Sequence, residues 1–549
     1  MWTVKRWTGP GLAVVSCLLV CWAAQAQPIE GTVQVLNGTG TQAGATGLAG
    51  VVVSDGHTIT LTDADGRFAL DLADGARFVW ISVPSGFRPE NGWYRSRSGD
   101  EVYDFTLVEV DDSGPLVFAL LADVHYAPDP EQFKEALIDR RMVVHPDGVL
   151  DELVRELNDL CPDFVILVGD LVADAQRPSP DRVAEWMTIV GDLLPARLDV
   201  PFYAAVGNHD VVRDEAIGTR SYEQVFGPTY YSFGMKGVHC VVLNTNYLSG
   251  GRLVYGIDAA QLAWVRADLA QVPEHIPVLV FAHQPSWDWA ATPENAALFD
   301  LLAETEITAL LTGHWHTNAM LRETPFPEWT SGAVSGAWWE GPGPDGSSFG
   351  YRVHRLQRGR LDSIWREIGM GERVYIPSPD SSVLVWADRA IAQVWGRAVS
   401  AVHWWDDGPE LRLDVHSNGL WSTASGFLNV SVLEPGYRTL NVRFSLEDGS
   451  TAAGIRSFYV LSPGLTLEDI FTHPETFQGR FVAAPNLQVR AVMGSDVSAT
   501  DGTKTMIIGK VPFPLSRGDR IGILGFYHPT STTPFKAFVA YFYTKDAGK

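Results

Sequence analysis

The chain has 549 residues and a net charge of −24, with 41 Lys and Arg against 65 Asp and Glu. That length exceeds a single hydrophobic core and points to about three or four domains. The acidic balance, with no basic run anywhere, excludes binding to nucleic acid or anionic lipid through non-specific charge, because both need clustered Lys and Arg.

Residues 1–26 read as a secretory signal peptide. Lys5 and Arg6 form a basic start, an apolar stretch runs from Gly11 to Ala23, and Ala24-Gln25-Ala26 offers a small-residue cleavage site. Export, to the periplasm or beyond the cell, is therefore expected. The stretch is shorter than the roughly 20 residues of a transmembrane helix, and no later segment approaches that length without charges. Leu18-Leu19-Val20-Cys21 resembles a lipoprotein signal only weakly, since Val20 fits poorly before the cysteine, so no lipid anchor is expected. The remainder would carry 39 basic against 65 acidic side chains, a net of −26. It would keep two cysteines, Cys161 and Cys240, which read as buried thiols rather than a disulfide framework.

Residues 27–112 alternate apolar and polar positions around Gly and Asp turns, which predicts a small β-sandwich. Asp63, Asp65 and Gly66 suggest a calcium loop, but the third carboxylate and distal Glu are missing, and a hairpin turn accounts for them better. Residues 113–370 alternate strands with helical stretches, the pattern of an α/β domain. One helix is written plainly: Asp258 can cap it, Gln261 stands three residues on, and Leu262, Val265 and Leu269 share a face. From Gly371 to Val383 the chain turns polar and proline-bearing, as a linker would. Short strands then predict a second sandwich, the domain as a whole covering 371–460. The last stretch, 461–549, has strands around Gly-Asp turns, consistent with a small barrel of the OB type or half a jelly roll.

Within 113–370 five polar islands stand in order: Asp123-Val-His125, Gly169-Asp170, Gly207-Asn208-His209-Asp210, Ala282-His283 and Gly313-His314-Trp315-His316. Each follows an apolar run that fits a buried strand, so each should lie at a strand's carboxyl end, where α/β sheets bind ligands. Residues two apart on an extended segment point the same way, so Asp123 and His125 can share a cation. Asp170 can bridge two cations with its two oxygens. Asn208 offers a carbonyl oxygen, His283 a nitrogen, and His314 and His316 can each reach one cation. With no cysteine in the set, the donors suit Mn, Fe, Zn or similar divalent or trivalent ions rather than a thiolate zinc. Two such ions about 3.5–4 Å apart would share a hydroxide and clamp a phosphoryl group for in-line attack. His209 is left over as a general acid, with Asp210 to orient its imidazole.

The five islands resemble the calcineurin-like metallophosphoesterase superfamily, whose pattern is D-x-H, G-D, G-N-H-(D/E), a lone His after a strand, and G-H-x-H. The resemblance implies a four-layer α/β/β/α sandwich over roughly 115–367. It also implies a first metal held by Asp123, His125, Asp170 and His316, and a second held by Asp170, Asn208, His283 and His314. Ser331-Gly332-Ala333 through Gly336-Ala337-Trp338-Trp339, then Pro344-Asp345-Gly346 and Gly350-Tyr351, further resemble exported members with a small β domain before the catalytic domain and a β-sandwich after it. The segment 461–549 lies outside that likeness.

Each island has a bland alternative. Asp-x-His and Gly-Asp alone are common turns; it is their ordered occurrence with Gly-Asn-His-Asp and Gly-His-Trp-His at strand ends that argues for a site. Asp174 reads as solvated. Arg213 can hold a phosphate oxygen or make a surface ion pair. Trp338 and Trp339 can wall a substrate pocket or pack in the core. His145, His239, His275 and His354 have no partner spacing and receive no role. The sequons at Asn37 and Asn429 matter only in a host that glycosylates.

The expected function is a secreted binuclear-metal phosphoester hydrolase. Alternatives are a phosphodiesterase acting on nucleotide-type or lipid-headgroup diesters, and a non-catalytic extracellular polymer-binding protein with a structural metal site. Substrate identity and metal identity are left open by these motifs, because loops over the pocket set the first and availability sets the second.

Overall fold

The computed structural model describes residues 28–37, 44–97, 102–127, 146–175, 179–369, 374–378, 383–384, 388–428, 430, 433, 436–460, 467–477, 481–493, 496–509, 517–518, 520–527 and 535–542. The signal-peptide reading, Asn429 and His145 therefore lie outside the described residues.

Two sheets face each other in the central region. The first runs in the order Phe202–Ala205, Phe164–Val168, Leu116–Leu121, Gly350–Gln357, Arg360–Glu367, its first three strands parallel and the rest antiparallel. The second runs Tyr231–Met235, Val238–Val242, Val278–Phe281, Ala309–Thr312, Glu328–Thr330, Ala319–Arg322, with four parallel strands between antiparallel edges. The two-residue period of a strand explains the layering. Phe118, Leu120 and Ile166 point inward and pack with Phe281 and Leu279 of the facing sheet. Ala119, Leu121, Val165 and Leu167 point outward onto Leu150, Leu153 and Leu157 of helix Pro146–Leu160 and Val183 and Met187 of helix Pro180–Leu193. Helices Ala259–Leu269 and Pro293–Glu304 cover the far side of the second sheet. The result is the four-layer α/β/β/α architecture.

Helix Ala259–Leu269 is capped as its sequence implies: the Asp258 carboxylate accepts the Gln261 N–H at 2.9 Å. Its buried face is turned from the expected one. Gln261, Trp264, Val265, Asp268 and Leu269 are buried, and Leu262 is only half-buried. Polar partners set the rotation, for Asp268 accepts the Ser232 hydroxyl at 2.6 Å and lies 2.7 Å from His239 Nε2, while Gln261 holds both backbone groups of Asn244. His239, given no role from spacing, is thus a structural partner of Asp268.

The flanking regions are all-β. Near the N-terminus a five-stranded and a four-stranded sheet enclose Val33, Val53, Val79, Ile81, Phe105 and Leu107. This unit covers the edge strand Tyr231–Met235: Gly234 N–H donates to Val83 O at 2.7 Å, and Lys236 N–H donates to the Asp112 carboxylate at 2.7 Å. Asp63 and Asp65 sit in a tight turn, the Asp63 carboxylate accepting the N–H groups of Asp65 and Arg67, but the turn passes the chain from strand Ile59–Leu61 of the four-stranded sheet to strand Arg67–Leu70 of the five-stranded one and so is not the expected hairpin.

After the two central sheets, eight strands form one path that closes around Val394, Val442, Phe444 and Phe458. Strand Tyr375–Ser378 belongs to this sandwich, pairing with Asp388–Trp395, so part of the expected linker is sheet; Pro377 is tolerated because the strand lies at an edge. The last five strands, from Phe481–Met493 to Phe535–Phe542, close into a barrel in which the third and fifth are parallel. Among the described residues no helix is long and apolar enough to cross a membrane.

Candidate metal centre

All five islands meet at the carboxyl ends of the two sheets. Gly169 lies at φ +88°, and a Cβ there would come within 2.5 Å of His283 Nδ1; a Cβ on Gly207 would fall 2.1 Å from Asp170 Oδ1. Only glycine lets these turns close on one another. Asp123, His125, Asp170, His314 and His316 all adopt positive φ, between 48° and 69°. Side chains rarely accept that conformation unless their surroundings hold them there, and such strain concentrates at working sites.

Asp123, His125 and His316 bring their donor atoms together as one group, and Asp170, His283 and His314 as a second, every atom of a group lying within 4.8 Å of the others. In the first, His125 Nε2 is 3.0 Å from His316 Nε2, and Asp123 Oδ1 lies 3.8 and 3.5 Å from them. In the second, His283 Nε2 stands 3.1 Å from both Asp170 Oδ2 and Asn208 Oδ1. Asp170 Oδ2 is also 3.6 Å from His125 Nε2, so one carboxylate faces both groups.

These residues fit cations. Imidazole donors about 2.1 Å from one ion at a right angle would lie roughly 3 Å apart, the His125–His316 spacing. His283 and His316 each donate Nδ1–H to a backbone carbonyl, of Val168 at 2.8 Å and Gly336 at 2.6 Å, which turns the Nε2 lone pairs inward. The charges agree. Burial raises the pKa of Asp123 and drives that of His125 well below its usual range. Burial would raise Asp170 too, but His283 and then His209 hold it well below the ordinary carboxylate value. Burial opposes a charge on His283, yet Asp170 pushes its pKa up to about 9. Burial and then His283 bring His314 down to about 3. A buried carboxylate thus gathers positive charge from the imidazoles around it, and two cations would supply that charge in place of the proton on His283.

Two expected roles change. Asp210 does not orient His209: its carboxylate accepts the backbone N–H groups of Leu171, Val172 and Gly207 at 2.8, 3.1 and 2.8 Å, and His209 Nδ1 has no hydrogen-bond partner. Burial, reinforced by Asp170, raises the Asp210 pKa to about 7. The Asp170 side chain instead fixes the His209 backbone, accepting its N–H on Oδ1 at 2.8 Å. Trp339 is buried, and its indole N–H donates to the His125 carbonyl at 3.2 Å, so it frames the site and does not wall a pocket. Trp338 lines the centre, stacked on His125 at 3.7 Å and edge-on to His209 at 4.8 Å. Arg213 is exposed. Asp174 is buried rather than solvated.

Several residues were given no individual role from the sequence. Ser335 donates its hydroxyl to the Asp123 carbonyl at 2.7 Å, steadying the turn. Gln284, fully buried, donates to Asn208 Oδ1 at 3.2 Å and to Asn246 Oδ1 at 2.7 Å, while its own oxygen accepts the Thr245 hydroxyl at 2.5 Å. Asp288 accepts the Trp315 indole N–H at 2.5 Å and stands 3.9 Å from His314 Nε2. Only the adjacency of Gln284 to His283 could have drawn attention, and adjacency carries no geometry.

The facing sheets and the paired donor groups define a candidate two-metal centre at the carboxyl ends of the strands. Two family models match, "N terminal of Calcineurin-like phosphoesterase" over residues 34–110 and "Calcineurin-like phosphoesterase" over residues 116–318. The chain belongs to the calcineurin-like phosphoesterase family. It is 28% identical over 181 residues to the serine/threonine-protein phosphatase CPPED1 of Mus musculus, covering 31% of this chain and 57% of that relative. The Homo sapiens protein of the same name is 24% identical over 185 residues, covering 31% and 59%. The match thus spans less than two thirds of either relative. Among solved structures, a dimetal phosphatase from Danio rerio has 18% identity and a TM-score of 0.34, covering 47% of this chain and all of that one. The Plasmodium protein GAP50, described as the anchor in the inner membrane complex, has 16% identity and a TM-score of 0.32, covering 47% and 86%.

Proposed function

We propose that this protein is a secreted phosphoester hydrolase that works with two metal ions. The observation that carries the reading is the Asp170 carboxylate, whose Oδ2 lies 3.1 Å from His283 and 3.6 Å from His125 and so joins the two donor groups. Asp123, His125, Asp170 and His316 would hold one ion, and Asp170, Asn208, His283 and His314 the other. Bound there, two ions supply an activated water and neutralise charge on the phosphoryl oxygens.

The chain's own residues do the rest. His209, beside the donor groups with Nδ1 unpartnered, delivers a proton to the departing oxygen. Asp170 Oδ1 sets the height of its backbone, and the edge contact with Trp338 limits the swing of the ring. Asp210 ties the Gly207–Asp210 turn to the Leu171–Val172 backbone, keeping Asn208 and His209 at the mouth of the first sheet. Gln284 fixes the carbonyl oxygen of Asn208 toward His283.

Phosphomonoesters are the first substrate class, in keeping with the phosphatase name of the relatives. Hydrolysis of para-nitrophenyl phosphate and of its bis-ester, each with and without a chelator, tests the proposal. Chelator-sensitive turnover of the monoester supports it; faster turnover of the bis-ester moves the reading to a diesterase. No turnover of either ester by protein carrying two ions would refute a hydrolase and leave a binding protein. Export is tested separately, by N-terminal sequencing of the mature protein for a start at Gln27.

A further inference from the structure

Asn318 stands two residues beyond His316, and four hydrogen bonds converge on it. Its N–H donates to Asp345 Oδ2 at 2.8 Å and its side-chain amide to the same oxygen at 3.3 Å. Its Oδ1 accepts the Gly332 N–H at 3.0 Å and the guanidinium of buried Arg352. Arg352 donates in addition to the Ser363 hydroxyl at 2.8 Å and bonds the Tyr375 side chain. Asp345 is held in turn, its Oδ1 accepting the N–H and hydroxyl of Ser347 at 3.0 and 2.6 Å, and its carbonyl accepting Arg456 at 3.2 Å. The other arm of Arg456 donates to the Ile376 carbonyl at 2.7 Å.

Tyr375, Ile376 and Arg456 all belong to the C-terminal sandwich. Two routes of hydrogen bonds therefore run from that sandwich to the Gly313–Asn318 loop, one through Arg456 and Asp345, the other through Tyr375 and Arg352. The loop has no slack, since a Cβ on Gly343 would lie 2.7 Å from the His316 carbonyl oxygen and one on Gly332 2.6 Å from the Asn318 amide. His314 and His316 sit on this loop at φ +69° and +52°. Such a conformation persists only where neighbouring contacts over-determine it.

We propose that the C-terminal sandwich is a positioning element of the metal centre, with Arg456 and Tyr375 locking the Asn318 knot so that His314 and His316 reach their ions in register. The inference rests on the reading of the site as a two-ion centre. Simple packing of the sandwich on the catalytic sheets is already supplied elsewhere, by Trp421 in the outer core of the first sheet and by Arg366 over Trp395 at 4.6 Å. The two routes to Asn318 are not needed for that.

Equilibrium dialysis of Mn²⁺ against the full chain, first stripped of metal, tests it. The wild type should bind two ions. Arg456→Ala and Tyr375→Phe should each weaken binding about 3- to 10-fold, and the double variant roughly 10- to 100-fold, the range for residues that support metal ligands. Arg456→Lys should recover part of the loss, because one ammonium can reach one of the two carbonyls. Arg443→Ala, which removes a pair with Glu410 elsewhere on the sandwich, should bind as the wild type does. Should Arg456→Ala fail to fold, Tyr375→Phe, which keeps its ring, decides alone. Wild-type affinity in both single variants, or an equal loss in Arg443→Ala, overturns the proposal and leaves the two-ion reading intact. A wild-type chain that binds no ion overturns that reading itself.

Discussion

Asp170→Ala should erase the stabilisation that metal gives this protein without unfolding the metal-free chain. The Asp170 carboxylate is buried and lies within 3.6 Å of an imidazole nitrogen from each donor group, so its loss removes a ligand from both. An ion present at 100 times its Kd adds about 2.7 kcal/mol to folding, and two independent ions would add roughly 5 kcal/mol. For a domain of this size, that is a rise in Tm of roughly 10–20 °C. The wild type should show this rise when Mn²⁺ replaces a chelator in differential scanning fluorimetry, and Asp170→Ala should keep only a few degrees of it. Asn208→Ala, which touches the second group alone, should keep about half. In chelator the Asp170→Ala chain loses the bond from His209 N–H and the pairing with His283 that keeps the carboxylate ionised, so its metal-free Tm should lie below that of the wild type, and the Mn²⁺-dependent rise is read against each chain's own chelator baseline. A variant retaining most of the Mn²⁺-dependent rise would refute the bridging role.

His209→Ala should keep two ions per chain by elemental analysis while kcat falls about 10²- to 10⁴-fold; an unchanged kcat rejects the general-acid role. Asp210→Ala leaves three buried backbone N–H groups unanswered and should cost about 3 kcal/mol or more in urea unfolding. His354 is buried and stacked on Phe118 at 4.8 Å, both ring nitrogens are without partners, and burial with Arg352 depresses its pKa far below 6.5. The unfolded chain takes up a proton that the folded one refuses, so stability should fall as pH drops below about 6.5, by up to about 1.4 kcal/mol per pH unit. His354→Phe should flatten that slope in urea titrations from pH 7 to 5, and parallel curves would refute the assignment.

Much of the centre was legible because its donors come in short motifs at the ends of apolar runs. Asp123 with His125, and His314 with His316, are two residues apart, and the strands before them are buried enough to read directly. What the motifs could not give was partnership. Asp210 follows His209 in the chain, yet its carboxylate turns back to the Leu171–Val172 backbone, because three buried N–H groups there need an acceptor. Trp338 and Trp339 are adjacent and of one kind. One stacks on a candidate ligand and the other disappears into the frame, a difference set by two consecutive positive-φ residues that no composition encodes.

By itself the sequence determined the donor chemistry, the order of the islands, and the alternation that sends Phe118 and Leu120 inward and Ala119 and Leu121 outward. Those are local properties, fixed by residue type and by the period of a strand. Only the tertiary structure decided that Asp170 stands between the two groups, that Gln284 fixes Asn208, and that the C-terminal sandwich reaches the His316 loop through Arg456 and Tyr375. These depend on contacts between residues from 27 to 111 positions apart, which the packing of separate elements creates and no local pattern records.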